Sequence, residues 1–520
     1  MLWIALHLPL LSLESFAATL PHEASGQPLA LLDAYAIVSA NAPARALGVK
    51  LGIQRATALA LAPQLMLGQA DPTRDGQALT AVAHAALAFT PMVVIEPAGD
   101  IASASATGAA PHTVLLEVQA SLRYFGGLPA LLQCLHAALA PLGHRLHTVS
   151  ASTALGAALL ARVHPQLNCA DLAATRRALD AAPVWLLGPG RAHWEALQGM
   201  GLRTLADLKR VPRDGLARRF GEAMLSELDR ATGQRPDPRE PLVPASTFDS
   251  RLELYARADT TEQLLHGSHL LLARLISWLA AQHAFVRRYT LVMQHEKGSR
   301  RAAPTADFTA LEIALAEPSR DPAHLLVLLR ERLASLQLPA PTLELRLHAA
   351  DIARRAPPNA ELFPTPKSEQ EGLTRLIERL QARLGPEQVL RLVPRQDHRP
   401  ERASAWRLAN AQMRPVRSRS AALPAGNPGT LPTTPAVRPV WLLHPPEPLR
   451  ERERGPVLDG QPLQLLSGPE RIESGWWDGA LAERDYFIAQ LPGGALVWVY
   501  RARVPMPGVT QGWFLQGRFG

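Results

Sequence analysis

The residues best able to do chemistry in this 520-residue chain are arginines, glycines and tryptophans, and the chemistry they suit is holding an anion and docking a partner. Two glycine-bearing turns, Leu187-Gly188-Pro189-Gly190 and Gly199-Met200-Gly201, lie between short helical stretches. Such turns can present backbone N–H groups to phosphate, or simply let helices pack closely. Arg287 and Arg288 follow Val286 at the start of a strand, and Arg251 and Arg346 fall on neighbouring strands of the same segment. On a regular strand Arg287 and Arg288 face opposite sides, so only one of them meets a ligand. Residues 399–420 carry six Arg and one Glu. The last eighty or so residues regain aromatics: Trp441, Trp476, Trp477, Trp498, Trp513, Phe514 and Phe519. Aromatic side chains dominate interface hot spots, and they equally build a small core. Cys134 and Cys169 are the only cysteines and no C-x-x-C occurs, which argues against a disulfide framework or a cysteine zinc site and for a reducing cytoplasm.

These groups must be positioned by several domains. The length exceeds what one core usually organises, and three to five domains are expected. Hydrophobic residues make up 47% and charged residues 19%, which suits folded domains. A net charge of +8 favours an anionic partner, nucleic acid being the commonest. The apolar opening Met1–Leu20 lacks a preceding Lys or Arg and is interrupted by Glu14, unlike an export signal. No membrane span is expected elsewhere.

Strands are expected at Trp3–Leu8, Ala34–Ser39, Met92–Glu96, Thr113–Val118 and His147–Ser152, with helices within Ala44–Leu61, at Gln77–Phe89, Pro129–Ala140 and Ala154–Arg162. Pro97–His112 reads as a surface insertion. Short helices fill 183–240. From 246 to 350 the pattern is strand (Phe248–Leu254), helix (Thr261–His283), strand (Val286–His295), strand (Ala306–Leu315), helix (Pro322–Leu336), strand (Thr342–His348), a β-α-β-β-α-β unit. Ala350–Lys367 reads as linker. Leu373, Leu376, Ile377, Leu380 and Leu384 then recur at helical spacing. Prolines from Pro424 to Pro439 mark an extended linker before a β-rich module.

Two blocks carry a family resemblance. Trp3-Ile4-Ala5-Leu6-His7-Leu8-Pro9-Leu10-Leu11-Ser12-Leu13-Glu14, with Asn41-Ala42-Pro43-Ala44-Arg45-Ala46-Leu47-Gly48-Val49, resembles the opening of the Y-family translesion DNA polymerases. Leu466-Ser467-Gly468-Pro469-Glu470-Arg471-Ile472-Glu473-Ser474-Gly475-Trp476-Trp477-Asp478-Gly479, followed by Arg484-Asp485-Tyr486, is similar to the tail of the ImuB family, polymerase-like subunits of a bacterial damage-induced mutagenesis cassette. Leu122-Arg123-Tyr124-Phe125-Gly126-Gly127 and Asp397-His398-Arg399-Pro400-Glu401 fit the same family. The resemblance implies an α+β multidomain fold, a Y-family polymerase-like right hand with a C-terminal β-rich module. Its parts would be palm with inserted fingers at 1–165, helical thumb at 166–240, little finger at 241–350, a linker and helix at 351–398, an Arg/Pro-rich linker at 399–439 and a docking module at 440–520.

The same resemblance argues against polymerase activity. Nucleotidyl transfer uses two metal ions about 4 Å apart held by carboxylates. Aligned on Glu14, the family's two acids of the first strand fall on Ala5 and His7, and no Asp or Glu precedes Glu14. An alanine cannot ligate Mg²⁺, and imidazole is a poor partner for so hard a cation. Asp100 and Glu117 are the candidates for a later acid pair, as remnants or as ordinary loop and strand carboxylates. The family's nucleotide-contacting Tyr is Ala42, and no lysine lies between Lys50 and Lys209. No catalytic residue, metal or cofactor is therefore expected. The resemblance instead implies a scaffold that binds DNA through Arg251, Arg287, Arg288 and Arg346, and the sliding clamp through Asn359, Leu362 and Phe363, a peptide similar to Q-x-x-L-F. Trp476, Trp477, Trp513 and Phe514 are the expected docking residues for an ImuA-type protein and an error-prone C-family DNA polymerase. The competing reading is a divergent active translesion polymerase.

Overall fold

A computed structural model describes residues 1–21, 26–96, 112–296, 307–354, 366–409, 438–452, 455–503 and 512–519; the side chains of 366–371 are not among them. The chain forms two compact units, Met1–Arg383 and Leu384–Gly520. The mixed α+β, multidomain architecture with a β-rich C-terminal module matches the expectation.

Trp3–His7 is the central strand of the first sheet, flanked antiparallel by Thr113–Glu117 and His147–Ala151. Val93–Ile95 and Gln166–Asn168 complete its edges. Every residue of Trp3–His7 is buried, because helices cover both faces. Trp3, Ala5, Leu115 and Val149 pack with the helix Ala154–Ala161, while Ile4, Leu6, Val114 and Leu116 pack with Pro72–Leu87 and Leu128–Leu139. That second helix begins five residues before the expected Gln77. Asp71 caps it by accepting from the amides of Thr73 and Arg74, and Pro72 opens its first turn. A second, small sheet joins Ala36–Ala40, Leu29–Asp33 and Met66–Gln69; only the first of these strands was anticipated.

Gln166–Asn168 pairs parallel with His147–Ala151, so the first sheet extends past 165 into the segment expected to be all helical. Six short helices then run from Leu172 to Thr232. Helix packing uses their glycines: a Cβ on Gly190 would collide with the Val184 backbone, and the Gly188 amide donates to Glu227 at 3.1 Å.

The β-α-β-β-α-β unit is present. Its antiparallel sheet has the order Phe308–Ser319, Ala284–His295, Thr342–Arg354, Phe248–Ala258, and the helices Thr261–Ala281 and Pro322–Ala334 pack on one face. Thr261–Ala281 is long and apolar enough to cross a membrane by length and composition, and Leu264, Leu271, Leu275 and Trp278 bury it against this sheet. Pro366–Leu384 is the last α-helix among the described residues.

In the second unit a hairpin, Leu390–Pro394 with Ser404–Leu408, precedes a seven-stranded antiparallel sheet running from Trp441 to Arg518. Arg399–Ala409, the opening of the segment expected as linker, is folded into this unit.

Candidate catalytic strand, nucleic-acid face and docking surfaces

The central strand places Ala5 and His7 on one face, the alternation of a strand putting residues two apart side by side. Ala5 is fully buried, opposite Leu115 and Val149. His7 stands opposite Thr113 and His147, with its Nδ1 3.0 Å from the Thr113 hydroxyl and its ring centroid 5.8 Å from that of His147. His147 donates through Nδ1 to the Ala161 carbonyl at 3.0 Å. Burial pulls the His7 pKa down to about 4, helped by the positive charge of Arg162, so His7 is neutral at pH 7.

The register bears on Glu117, one of the two candidates for a later acid. Across from His7 stand Thr113 and, one residue before it, His112; Glu117 lies opposite Trp3, at the far end of the strand. Glu117 instead accepts from the Leu2 and Gln119 amides, a structural use. Asp100 lies outside the described residues. Glu96, missed from sequence, continues the row, since its amide donates to the Thr113 carbonyl at 3.0 Å. It sits two strands from His7, on the order of 10 Å away, and is claimed by Arg239 at 2.5 Å. The Ser12 hydroxyl donates to buried Asp75, and its oxygen is 3.5 Å from His112 Nε2. Burial raises the Asp75 pKa. Glu14 accepts from the Arg145 amide at 3.0 Å and lies 3.4 Å from His144. Among the described residues no three His, Cys, Asp or Glu side chains are grouped to hold a metal ion.

The open face of the four-stranded sheet carries Arg251, Arg288 and Arg346, with Arg251 directly across from Arg346. The face is mixed in sign. Arg346 is forked onto Asp249, 2.8 Å from Nε, and Arg288 lies 3.2 Å from Glu312 and 4.0 Å from Asp351. Arg251 and Arg287 make no side-chain ion pair among the described residues. The expectation that Arg287 and Arg288 face opposite sides fails, because the ladder slips between Val286 and Arg288 and both are exposed. Asn359, Leu362 and Phe363 lie outside the described residues.

The four expected docking aromatics separate. Trp476 and Trp477 are 77% and 56% exposed, edge to face at 5.3 Å. Trp513 is instead a core residue, packed on Phe487 with its indole N–H donating to Glu451, and Phe514 is half-buried, stacked on Tyr500. Position on a paired strand of the sheet, not composition, sorts them.

The Trp turn is held from beneath by the Asp397–Glu401 block. Arg399, 2% exposed, donates to Asp397, to both oxygens of Asp478 (2.9 and 2.6 Å) and to the Ala480 carbonyl, and its guanidinium lies over the Trp477 ring. These bonds hold Asp397 down to about 2. Arg402 also reaches Asp478, and Glu401 pairs with Arg484 at 3.0 Å. Gly475 turns the chain at φ +85°, where a Cβ would collide with the Ala480 carbonyl and Arg399.

No family model matches the chain. The chain is 28% identical over 502 residues to Protein ImuB of Caulobacter vibrioides, in two strains, spanning 91% of this chain and 100% of that protein. The resemblance drawn from the sequence blocks thus extends along the chain. Solved structures similar to it include DinB from Sulfolobus solfataricus and a Dbh ternary complex, each at 16% identity and TM-score 0.38, covering 68% of this chain and 99% of theirs.

Proposed function

We propose that this chain is a non-catalytic, polymerase-like scaffold of translesion synthesis and induced mutagenesis, acting in the cytoplasm. One observation carries the reading. On the central strand, where the resemblance puts two metal-binding acids, Ala5 is packed among Leu115 and Val149 and His7 is a neutral imidazole bonded to Thr113. The likeness to Protein ImuB along the chain supports the family side of the reading.

The scaffold holds DNA by phosphate contacts from the open face of the four-stranded sheet. Arg251 and Arg287 are the arginines most available there; Arg288 and Arg346 contribute once their carboxylate partners yield. The Asn359–Phe363 peptide inserts its apolar pair into a pocket on the sliding clamp. The exposed Trp476–Trp477 turn docks an ImuA-type protein or an error-prone C-family polymerase.

Primer extension by purified protein with Mg²⁺ or Mn²⁺ tests the reading. No template-dependent incorporation is expected. Incorporation that disappears in Glu96→Ala, Asp100→Ala or Glu117→Ala proteins would establish a divergent active polymerase instead.

A further inference from the structure

One edge of the first sheet is met by the chain itself and the other is not. At the first, the Leu242 amide donates to the Val93 carbonyl at 2.7 Å. The other edge is the strand Gln166–Asn168, which runs parallel to His147–Ala151 with Leu167 opposite Val149. The Thr148 amide donates to the Pro165 carbonyl and the Cys169 amide to the Ser150 carbonyl, both at 2.9 Å. In a parallel ladder alternate residues make both bonds to the neighbour, so Pro165, Leu167 and Cys169 face inward. Gln166 and Asn168 therefore turn their N–H and C=O groups outward. Both residues are exposed, and no hydrogen bond among the described residues uses those groups. A groove runs beside this edge. Gln166 and Asn168 face the helix Leu128–Leu139 across a cavity of about 440 Å³, whose other walls include Leu128, Leu132, Gln133 and His136. Leu128 and Leu132 form its apolar floor and pack into the core behind it. The rim is polar but holds no Asp, Glu, Lys or Arg. It is also held in place: His136 Nε2 lies 2.9 Å from the Thr148 hydroxyl, and Asn168 Oδ1 accepts from Ser150 at 3.1 Å.

We propose that this edge and groove bind an extended, uncharged segment of another protein. The segment joins the five-stranded sheet as a further strand and places a tyrosine or tryptophan in the groove. The backbone identifies a strand as the occupant. Gln166 and Asn168 offer donors and acceptors at a two-residue repeat, which an incoming strand matches group for group. A helix has already spent its main-chain groups within itself. The groove identifies the side chain. An apolar floor under an uncharged polar rim fits an aromatic body with one polar tip. A charged side chain would lose water there without gaining a counterion. A second copy of this chain fits poorly, because two three-residue edges set side by side fall well short of the roughly 800 Å² per partner of a stable interface.

The full chain is titrated, by fluorescence anisotropy, with the labelled peptide Ser-Thr-Val-Tyr-Val-Thr-Ser. Two N-methylated forms are compared with it, one methylated at both valines and one at the tyrosine and both threonines. Each form strips the donors from one edge of the peptide strand and leaves its side chains alone. The parent peptide is expected to bind, one methylated form to bind about tenfold or more weakly, and the other to match the parent. Replacing the peptide's tyrosine by glutamate should also cost about tenfold or more. On the protein, Gln133→Trp fills the groove from an exposed helix position, and Gln166→Pro removes one outward donor where an edge strand tolerates proline. Each should weaken the parent peptide about tenfold, with the unfolding midpoint within about 2 °C of the unaltered chain. No saturable binding below about 1 mM overturns the proposal. So does equal binding of the parent and both methylated peptides, or of the tyrosine and glutamate peptides, comparisons that need no protein variant. Binding indifferent to a folded Gln133→Trp chain overturns it too. A dimer of the unaltered chain that Gln166→Pro converts to monomer, by light scattering, overturns it in favour of a second copy.

Discussion

Arg399 and Asp478, separated by 79 positions in the chain, meet through two hydrogen bonds of 2.9 and 2.6 Å. They come from the two sequence blocks most characteristic of the C-terminal half, so those blocks are two sides of one clasp. Arg399→Ala should strip Asp397 of its guanidinium partner, leave Arg402 on Asp478, and release the Trp turn. The expected readout is lost partner binding together with faster proteolysis of the second unit. Gly475→Ala should act in the same direction, its φ of +85° costing about 1–2 kcal/mol before the collision with Ala480 is counted. Undiminished partner binding by both variants would show that the turn is not the docking surface.

Truncation should respect that clasp. A chain ending at 439 keeps Arg399 and the 390–408 hairpin but loses Asp478 and Arg484. It is expected to aggregate more than one ending at 384, which stops at the division between the compact units. Light scattering of the two truncations compares them. Both should keep DNA binding and lose the partner.

DNA affinity should fall steeply with salt and persist without divalent metal. Arg251→Ala and Arg287→Ala should each reduce the slope of log K against log salt by about 0.9, the share of one phosphate contact. Arg346→Ala should change it less, because Asp249 already occupies that guanidinium. Filter binding across a salt series measures all three, and unchanged slopes would place the DNA elsewhere.

Leu362→Ala with Phe363→Ala should remove most clamp binding, two large apolar side chains being worth roughly 3–6 kcal/mol before ordering costs. Asn359→Gln should strengthen it by restoring the longer amide. Surface plasmon resonance on immobilised clamp reads both.

Acid should unfold the first unit through His7. Its folded pKa, about 4, lies below the ordinary histidine value of 6.5, so the folded state resists a proton that the unfolded chain accepts. The stabilisation is complete above pH 6.5 and is lost as pH falls toward 4. It amounts to about 3 kcal/mol. His84, also held near 4 by burial, adds to the trend. His7→Gln should flatten the pH 7-to-4 dependence in urea titrations, whatever its effect at neutral pH; an unaltered slope would assign the acid sensitivity to other groups.

The four-stranded unit was legible because its strands alternate and its helices are long enough to show a period. Leu29–Asp33 and Met66–Gln69 were not, being short and flanked by turn residues. The site was half legible. Ala5 and His7 follow from the spacing to Glu14, but the residues facing them depend on how the chain returns after the 97–111 segment, and register across an insertion leaves no trace in composition. The helix Pro366–Leu384 shows the sharpest limit. Its leucines repeat as a core stripe should, and polar contacts to distant residues, the His324–Glu378 pair 54 positions apart among them, reverse which face turns inward.

The packing around Ala5 bears on how this body responds to its surroundings. Carboxylates clustered for two cations repel one another when the cations leave, so a sheet built that way gains stability from ions and nucleotide by mass action. Here the corresponding position is closed by Leu115 and Val149, side chains of the chain itself. On the non-catalytic reading proposed above, its folded population is decoupled from the supply of metal and nucleotide. For the proposed scaffold, that independence lets the body hold its shape while a neighbouring enzyme consumes both.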